Sequence, residues 1–404
     1  MLLPHKAAPS GREKASKHIE SMAYGLRMFN SGPVDAARWT WAQAHGERDV
    51  STRRPGGRDS KAFGDATGWE PATCMDLEVG TGEAAQPLAK FTDPDWTAKR
   101  EPRATVALDR LETLWINTGT LCNITCQNCY IESSPSNDRL AYITAAETAT
   151  YLDEIEAQKL GTREIAFTGG EPFMNPQLLT MLEDALTRGF QVLVLTNAMQ
   201  PMQRPKTQRG LLALRDRCAS RLKLRVSLDH YTQTLHEAER GARTWAKTIA
   251  GLDWLARNGL AVAIAGRTCW NESEEDSRAG YAQLIADRGW RIDPESRSEL
   301  VLLPEMDGGH DVPEITTRCW AILDKRPGDM MCATSRMIVK RQGAERPSVV
   351  PCTLIPYDAA FEMGATLADA ASAHGGMFAD GAVKLCHPHC SKFCVLGGGS
   401  CSGR

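Results

Sequence analysis

Six apolar runs that alternate with helix-like stretches constrain the fold of this 404-residue chain more than any other feature. The apolar runs are Thr113–Asn117, Glu164–Thr168, Gln191–Thr196, Lys223–Leu228, Ala261–Ala265 and Leu300–Leu303. The helix-like stretches are Ala145–Lys159, Pro176–Arg188, Gly210–Ser220, Thr244–Asn258 and Glu274–Arg288. Strands and helices that alternate at these lengths indicate βαβ units and a parallel sheet. The pattern predicts an α/β fold, a partial (β/α)6 barrel with its chemistry at the carboxyl ends of the strands.

Composition divides the chain into four parts. Residues 1–70 are expected to form a loosely ordered extension, because 51–65 is rich in Gly, Ser and charge and has too few aliphatic residues to offset the entropy of ordering. Residues 71–105 contain isolated aromatics and prolines, which indicates an arm that packs on the core. Residues 106–304 are the predicted barrel, and 305–404 are predicted to form a separate, loop-rich and cysteine-rich C-terminal domain.

Charge and hydropathy argue against several classes of partner. The formal net charge of −3 is too small to favour nucleic acid or an anionic membrane surface. No run of 18 apolar residues predicts a transmembrane helix, and the first residues lack the apolar stretch of a secretory signal. We therefore expect a cytoplasmic protein. In a reducing compartment, clustered cysteines indicate metal binding or catalysis more often than disulfides.

Three of the thirteen cysteines follow the first apolar run closely, as Cys122, Cys126 and Cys129. Thiolates bind iron tightly, and a cluster ligated only by protein usually takes four of them. Three thiolates at Cys-x3-Cys-x2-Cys spacing predict a [4Fe–4S] cluster with one iron left open to another ligand. Structural zinc is disfavoured, because zinc sites repeat Cys-x2-Cys pairs or add His, and no fourth ligand lies nearby in the sequence.

This spacing, ending in Cys129-Tyr130, resembles the radical S-adenosylmethionine (SAM) superfamily. The nearest branch contains the molybdenum-cofactor cyclase and the peptide-modifying enzymes with SPASM or twitch C-terminal domains. The resemblance implies that SAM binds the open iron and is cleaved by an electron from the reduced cluster to give a 5′-deoxyadenosyl radical, so that the cofactor carries the chemistry. It covers roughly residues 111–303 and departs from the family at Asn128, a position that is often aromatic.

A glycine turn follows the second predicted strand, in the sequence Phe167-Thr-Gly-Gly-Glu-Pro-Phe173. Paired glycines allow backbone to approach a ligand closely. The turn resembles the family's Gly-Gly-Glu-Pro motif, which implies that Gly169, Gly170 and Glu171 accept hydrogen bonds from the methionine ammonium of SAM. The alternative is an ordinary turn between a strand and a helix.

Polar residues also follow the third and fourth predicted strands. Asn197, Ser227 and Asp229 lie at these strand ends, and Arg240 lies in a stretch similar to the branch's His-Asp-x-x-Arg-Gly pattern. The resemblance implies that these residues hold the ribose and the methionine carboxylate of SAM. The alternative for each is a helix cap or turn. Gly266, after the fifth strand, is a weaker candidate for contact with adenine.

Seven cysteines lie beyond residue 305. The best candidates for ligands of a second, auxiliary Fe–S cluster are Cys332, Cys352, Cys390 and Cys394, with Cys319, Cys386 and Cys401 in reserve. SPASM and twitch domains carry such clusters, but their Cys-x2-Cys spacing is absent here. Zinc is one alternative, because His387 and His389 lie close by. Free cysteines that pack as small hydrophobes are another.

These observations predict a radical SAM enzyme that abstracts hydrogen from a small molecule or a peptide, with an electron donor such as flavodoxin or ferredoxin. No winged-helix peptide-recognition module is recognisable in residues 1–105, which slightly favours a small molecule. The alternative function is a non-catalytic Fe–S electron carrier or redox sensor, which needs four ligands at the first cluster. His310 is a candidate proton carrier, although a surface turn is the simpler interpretation.

Overall fold

The computed structural model describes residues 89–218, 221–268, 270–304 and 311–398. The predicted extension at 1–70, Cys401 and His310 lie outside these ranges. Within the described residues, no helix combines the length and the apolar composition that crossing a bilayer requires.

Eleven strands and nine α-helices are found in the described residues. The strands are β1 (Thr105–Val106), β2 (Thr113–Asn117), β3 (Glu164–Thr168), β4 (Gln191–Thr196), β5 (Leu222–Ser227), β6 (Ala261–Arg267), β7 (Leu300–Leu303), β8 (Ser335–Val339), β9 (Ser348–Val350), β10 (Phe378–Ala379) and β11 (Ala382–Lys384). The α-helices are α1 (Ala145–Gln158), α2 (Leu178–Thr187), α3 (Gln200–Gln203), α4 (Pro205–Cys218), α5 (Gln233–Arg240), α6 (Trp245–Arg257), α7 (Glu274–Arg288), α8 (Cys319–Ile322) and α9 (Leu367–Ser372).

The main sheet has eight strands in the order β7-β6-β5-β4-β3-β2-β8-β9. All neighbours from β7 to β8 are parallel, and only β9 runs antiparallel, against β8. This arrangement confirms the predicted α/β fold with a parallel sheet, and all six predicted strands are present. Because helices cover a parallel sheet on its faces, strands such as β2 are buried along their whole length.

The sheet continues past the predicted domain boundary at residue 305. β8 pairs in parallel with β2, so that Trp115 lies opposite Met337. β8 therefore extends the barrel sheet. The sequence analysis had instead predicted a separate domain beyond residue 305. The sequence gives little indication of β8, because Ser335 and Arg336 open a strand that no long helical pattern precedes.

The described part of the predicted arm packs on the C-terminal segment. β1 pairs antiparallel with β11, and β11 pairs with β10. Arg103 is buried, donates a hydrogen bond to the Leu385 carbonyl (3.2 Å) and pairs with Glu314 (2.6 Å). These contacts join the segment that precedes the barrel in the sequence to the segment that follows it.

Candidate active site

A cavity of about 140 Å³ lies at the carboxyl ends of the parallel strands. The predicted site residues in its lining are Cys122, Cys126, Cys129, Gly169, Gly170, Asn197, Ser227, Asp229, Arg240 and Gly266. Carboxyl ends of parallel strands share one edge of a sheet, and this shared edge brings together residues that are distant in sequence. Glu171 is the one predicted residue of this group that does not line the cavity.

The three cysteines lie on the loop that connects β2 to α1. Cys122 is buried, whereas Cys126 and Cys129 are partly exposed. Burial raises the pKa of the Cys122 thiol to about 12 and also raises the pKa of Cys126. Metal binding must therefore displace a proton from Cys122, since the thiolate is the ligand.

The spacing of the candidate ligands bears on the kind of metal site. In the described part of the chain, no three His, Cys, Asp or Glu side chains converge closely enough to hold a single metal ion. A cubane binds each thiolate on a different iron and so keeps its ligands farther apart than one zinc ion does.

The glycine turn after β3 is shaped by the cysteine loop. A Cβ atom on Gly170 would lie 2.2 Å from the carbonyl oxygen of Leu121. The Gly170 N–H donates to the Gly119 carbonyl (2.8 Å), and the Glu171 N–H donates to the Leu121 carbonyl (3.1 Å). The close approach that requires glycine at 170 is therefore a contact between two backbone segments, which fixes the loop carrying Cys122 against the turn.

Glu171 has a different position from the one that the family resemblance implies. Its carboxylate is buried and accepts hydrogen bonds from Phe173 N (3.1 Å), Thr196 Oγ1 (2.8 Å) and Asn197 N (2.8 Å). Burial raises the pKa of Glu171 to about 7, although these donors oppose the shift. Through these contacts Glu171 joins the turn after β3 to the end of β4, and its contact with a methionine ammonium stays a prediction.

Asn197 connects β4 to the cysteine loop. Its Nδ2 donates to Asn123 Oδ1 (2.9 Å), and its Oδ1 accepts from the Met199 backbone N–H (3.0 Å). The second contact is the turn-capping role that the sequence analysis gave as the alternative to SAM binding. The side chain performs this role while it lines the cavity.

Asp229 and Arg240 form a buried ion pair at the edge of the cavity. Nε of Arg240 lies 2.5 Å from Oδ2 of Asp229, and Nε of Arg267 lies 3.4 Å from Oδ1 of the same carboxylate. Burial opposes ionisation of Asp229, but Arg240 and Arg267 outweigh it and lower the pKa of Asp229. The two sequence-predicted residues bind each other, and Arg267 is a third member that the sequence analysis missed.

A second contact joins α5 to the cysteine loop. The Glu239 carboxylate accepts from the backbone N–H (2.9 Å) and the Nδ2 (3.1 Å) of Asn128 and pairs with Nη1 of Arg267 (3.1 Å). The Gln127 N–H donates to the Glu239 carbonyl (2.8 Å). Asn128, where the chain departs from the family pattern, is therefore the residue that docks the loop between Cys126 and Cys129 onto α5.

The second cysteine group surrounds a smaller cavity, of about 20 Å³. Its lining includes all four predicted ligands, Cys332, Cys352, Cys390 and Cys394, together with His389 and Leu354. Leu354 also lines the larger cavity, so the two cavities share a wall.

The reserve cysteines lie elsewhere. The Cys386 thiol donates to the Asp93 carbonyl, and the Cys319 sulfur accepts from the Thr316 N–H. His389 Nδ1 is 2.8 Å from the Leu354 carbonyl, and His387 does not line the smaller cavity. Among the described residues, this leaves four cysteine thiols and one already engaged imidazole around that cavity.

The profile of the radical SAM superfamily matches residues 116–278, which include the cysteine loop, the glycine turn and α5. The matched segment is 163 of the 404 residues, and within it the chain is similar to the radical SAM superfamily. Members of the superfamily use a [4Fe–4S] cluster and SAM.

Two curated relatives show how far the similarity extends. The antilisterial bacteriocin subtilosin biosynthesis protein AlbA of Bacillus subtilis (strain 168) is 28% identical over 145 residues, 36% of this chain and 30% of AlbA. A GTP 3′,8-cyclase of Rhodococcus opacus (strain B4) is 30% identical over 193 residues, 47% of this chain and 50% of the cyclase. The chain spans half or less of the length of these relatives.

Among solved structures, SuiB of Streptococcus suis bound to S-adenosylmethionine aligns with 64% of each chain. The TM-score is 0.47 and the identity is 13%, so this likeness carries no argument about function.

Proposed function

We propose that the chain is a radical SAM enzyme whose cluster is held by Cys122, Cys126 and Cys129 and whose product radical abstracts hydrogen from a substrate. The observation that carries this proposal is the lining of the larger cavity. Three thiols are present there, and neither a fourth cysteine nor a histidine is among the described residues of the lining. A site with three protein ligands leaves a position for SAM, whereas an electron carrier would need a fourth.

A [4Fe–4S] cluster held by Cys122, Cys126 and Cys129 would supply the electron for reductive cleavage of SAM, drawn from a donor of the flavodoxin or ferredoxin type. The protein's own residues bind and orient SAM. Gly169 and Gly170 present backbone beside the cysteines, and Asn197 and Ser227 present polar side chains from the next strands. Arg240, already paired with Asp229, adds positive charge near Cys126.

The substrate occupies the remaining part of the same cavity and is a small molecule or a peptide. Apolar walls there come from Leu195, Val301 and Leu303. Trp115 lines the cavity, and its indole Nε1 is buried without a hydrogen-bond partner in the described structure, so this N–H is a candidate donor to a substrate oxygen or nitrogen. The names of the two relatives support one substrate class each, a peptide for AlbA and a nucleotide for the cyclase.

The second cysteine group is proposed to hold an auxiliary Fe–S cluster that accepts the electron left on the substrate after hydrogen abstraction. Four cysteine sulfurs around one cavity match the usual ligand count of a protein-bound cluster. Leu354 lines both cavities, which supports an auxiliary cluster close to the proposed substrate. The zinc alternative requires ligands that converge on one ion, which the described residues do not show.

Reductive cleavage of SAM tests the proposed function. The chain is reconstituted with iron and sulfide without oxygen, reduced with dithionite, and assayed for 5′-deoxyadenosine and methionine. We expect both products from the wild type and none from Cys126→Ala. Cys218→Ala, which removes a cysteine at the end of α4, is the matched control and should retain cleavage. Reduced protein that holds its first cluster and makes no deoxyadenosine would support the electron carrier instead.

A further inference from the structure

Arg336, on β8, is a buried cation without an acidic partner among the described residues. Its side chain is 1% exposed, and no carboxylate lies within ion-pair distance in that part of the chain. Arg103 and Arg267 are also buried, but each pairs with a carboxylate, that of Glu314 and that of Glu239. Arg336 therefore differs from these two interior arginines in having no carboxylate partner within the described residues.

Backbone carbonyls satisfy only part of the Arg336 guanidinium. Nη1 donates to the carbonyls of Cys332 (2.5 Å) and Ser335 (2.8 Å), and Nη2 donates to the carbonyl of Gly381 (3.2 Å). Nε is buried and has no hydrogen-bond partner in the described structure. Carbonyl dipoles orient the group but do not neutralise its charge, and a buried charge without a counter-ion is strongly destabilising.

Arg336 lies against the second cysteine group, because its Nη1 donates to the backbone carbonyl of Cys332. Burial lowers the pKa of Arg336, and the thiols of Cys332 and Cys352 are the groups that oppose that shift. Both cysteines line the smaller cavity. As neutral thiols they leave the guanidinium without compensation, whereas as metal-bound thiolates they supply the missing negative charge.

We propose that Arg336 is the counter-charge of the second metal site and raises the reduction potential of the cluster bound there. This inference rests on the proposed auxiliary cluster. A cluster held by four thiolates is anionic, and one-electron reduction makes it more negative. A fixed cation beside two of its ligands stabilises the reduced form, because net charge and hydrogen bonds near the sulfurs set such potentials. Arg336 does not line the larger cavity and acts as a positioning residue for charge.

A redox titration followed by electron paramagnetic resonance tests the inference. The full-length chain carries Cys122→Ala, Cys126→Ala and Cys129→Ala, so that only the second site binds iron. In this background, Arg336→Met should lower the equilibrium constant for one-electron reduction at least tenfold, a potential lower by about 59 mV. Arg336→Lys, which keeps the charge, should recover most of the loss. Arg341→Met, a partly buried arginine that pairs with Glu362, is the control and should leave the potential unchanged.

Two outcomes of the titration would overturn the inference. Equal reduction potentials for the background protein and its Arg336→Met and Arg336→Lys variants would show that the charge of Arg336 does not affect the second cluster. The second cluster itself would remain supported. Absence of iron from the background protein would refute the second site and this inference together, and SAM cleavage by the wild type would still decide the main function independently.

A stability measurement separates a charge role from a structural one if Arg336→Met fails to load iron. Without metal, the guanidinium has no counter-ion, so Arg336→Met should unfold at the same or a higher urea concentration than its parent. A structural role through the three carbonyls predicts a lower midpoint for the metal-free variant, and that result would overturn the inference.

Discussion

The two cysteine groups share Leu354 in their walls but differ in exposure, ligand number and treatment of charge. The first group has three cysteines, two of them partly exposed, at a cavity of about 140 Å³. The second has four, three of them buried, around about 20 Å³ of space. Asp229 and Arg240 form an ion pair at the first cavity, whereas Arg336, which contacts the Cys332 carbonyl beside the second, has no carboxylate partner among the described residues.

This difference separates an open site from a closed one. Metal sites that perform chemistry keep a position for an outside ligand, and sites that are structural or transfer electrons have all positions filled by protein. The polar residues proposed to bind SAM line the larger cavity. The smaller cavity is lined by four cysteines, His389 and apolar residues, and its cluster is proposed to act through the wall that the two cavities share.

Loss of a single cysteine gives the largest expected difference between the sites. Cys126→Ala should reduce deoxyadenosine formation to the level of a protein-free control, because the first cluster loses one of three ligands. Cys352→Ala should remove about four irons, one cubane, yet retain SAM cleavage. Iron analysis and product quantification on the same samples check both statements. Retained cleavage in Cys126→Ala would contradict the assignment of the open site.

Glu239→Gln should give the next largest effect, confined to the first site. The change leaves Arg267 partly unpaired in the interior and weakens the contact with Asn128, at a cost of about 3–5 kcal/mol in the free energy of unfolding. Urea denaturation measures this loss, and iron analysis should show depletion of the first site only. Glu237→Gln on the same helix is the control and should change stability by less than about 0.5 kcal/mol.

Acid should weaken the helix behind the first site through His236. Burial, with Arg240 nearby, lowers the pKa of His236 to about 4, while Asp229 and Glu237 oppose the shift. The unfolded chain binds a proton near pH 6.5 and the folded chain does not, so stability falls as pH decreases from 6.5 towards 4, by about 3 kcal/mol in total. His236→Phe should flatten this part of the stability curve. An unchanged slope in the variant would refute the assignment.

Asn128→Ala should give the smallest effect. It removes one hydrogen bond to Glu239 (3.1 Å) but keeps the backbone contact, and we expect a loss of about 1 kcal/mol in unfolding free energy. A chelator should remove iron from the first site faster in the variant than in the wild type. Equal retention would show that the backbone contacts of the loop suffice.

Much of the fold was predictable because the parallel strands are buried on both faces and therefore read as apolar runs. The meeting of Cys122, Gly170 and Ser227 was predictable for a related reason, since all follow strands of one parallel sheet. Contacts between side chains of different elements were not. The sequence shows Glu171 but not its donors on β4, and it shows Glu239 as one charge in a short polar helix. From the sequence Arg336 would be placed on the surface, because no acidic residue adjoins it. The negative charge proposed to balance it comes from cysteines that the fold brings near.

Electron paramagnetic resonance with and without SAM tests the contrast between open and closed sites most directly. Two reduced proteins are compared, Cys352→Ala, which retains the first cluster, and the triple Cys122→Ala, Cys126→Ala, Cys129→Ala variant, which retains the second. We predict that SAM changes the spectrum of the first protein and leaves that of the second unchanged. A spectrum of Cys352→Ala that does not respond to SAM would contradict the account.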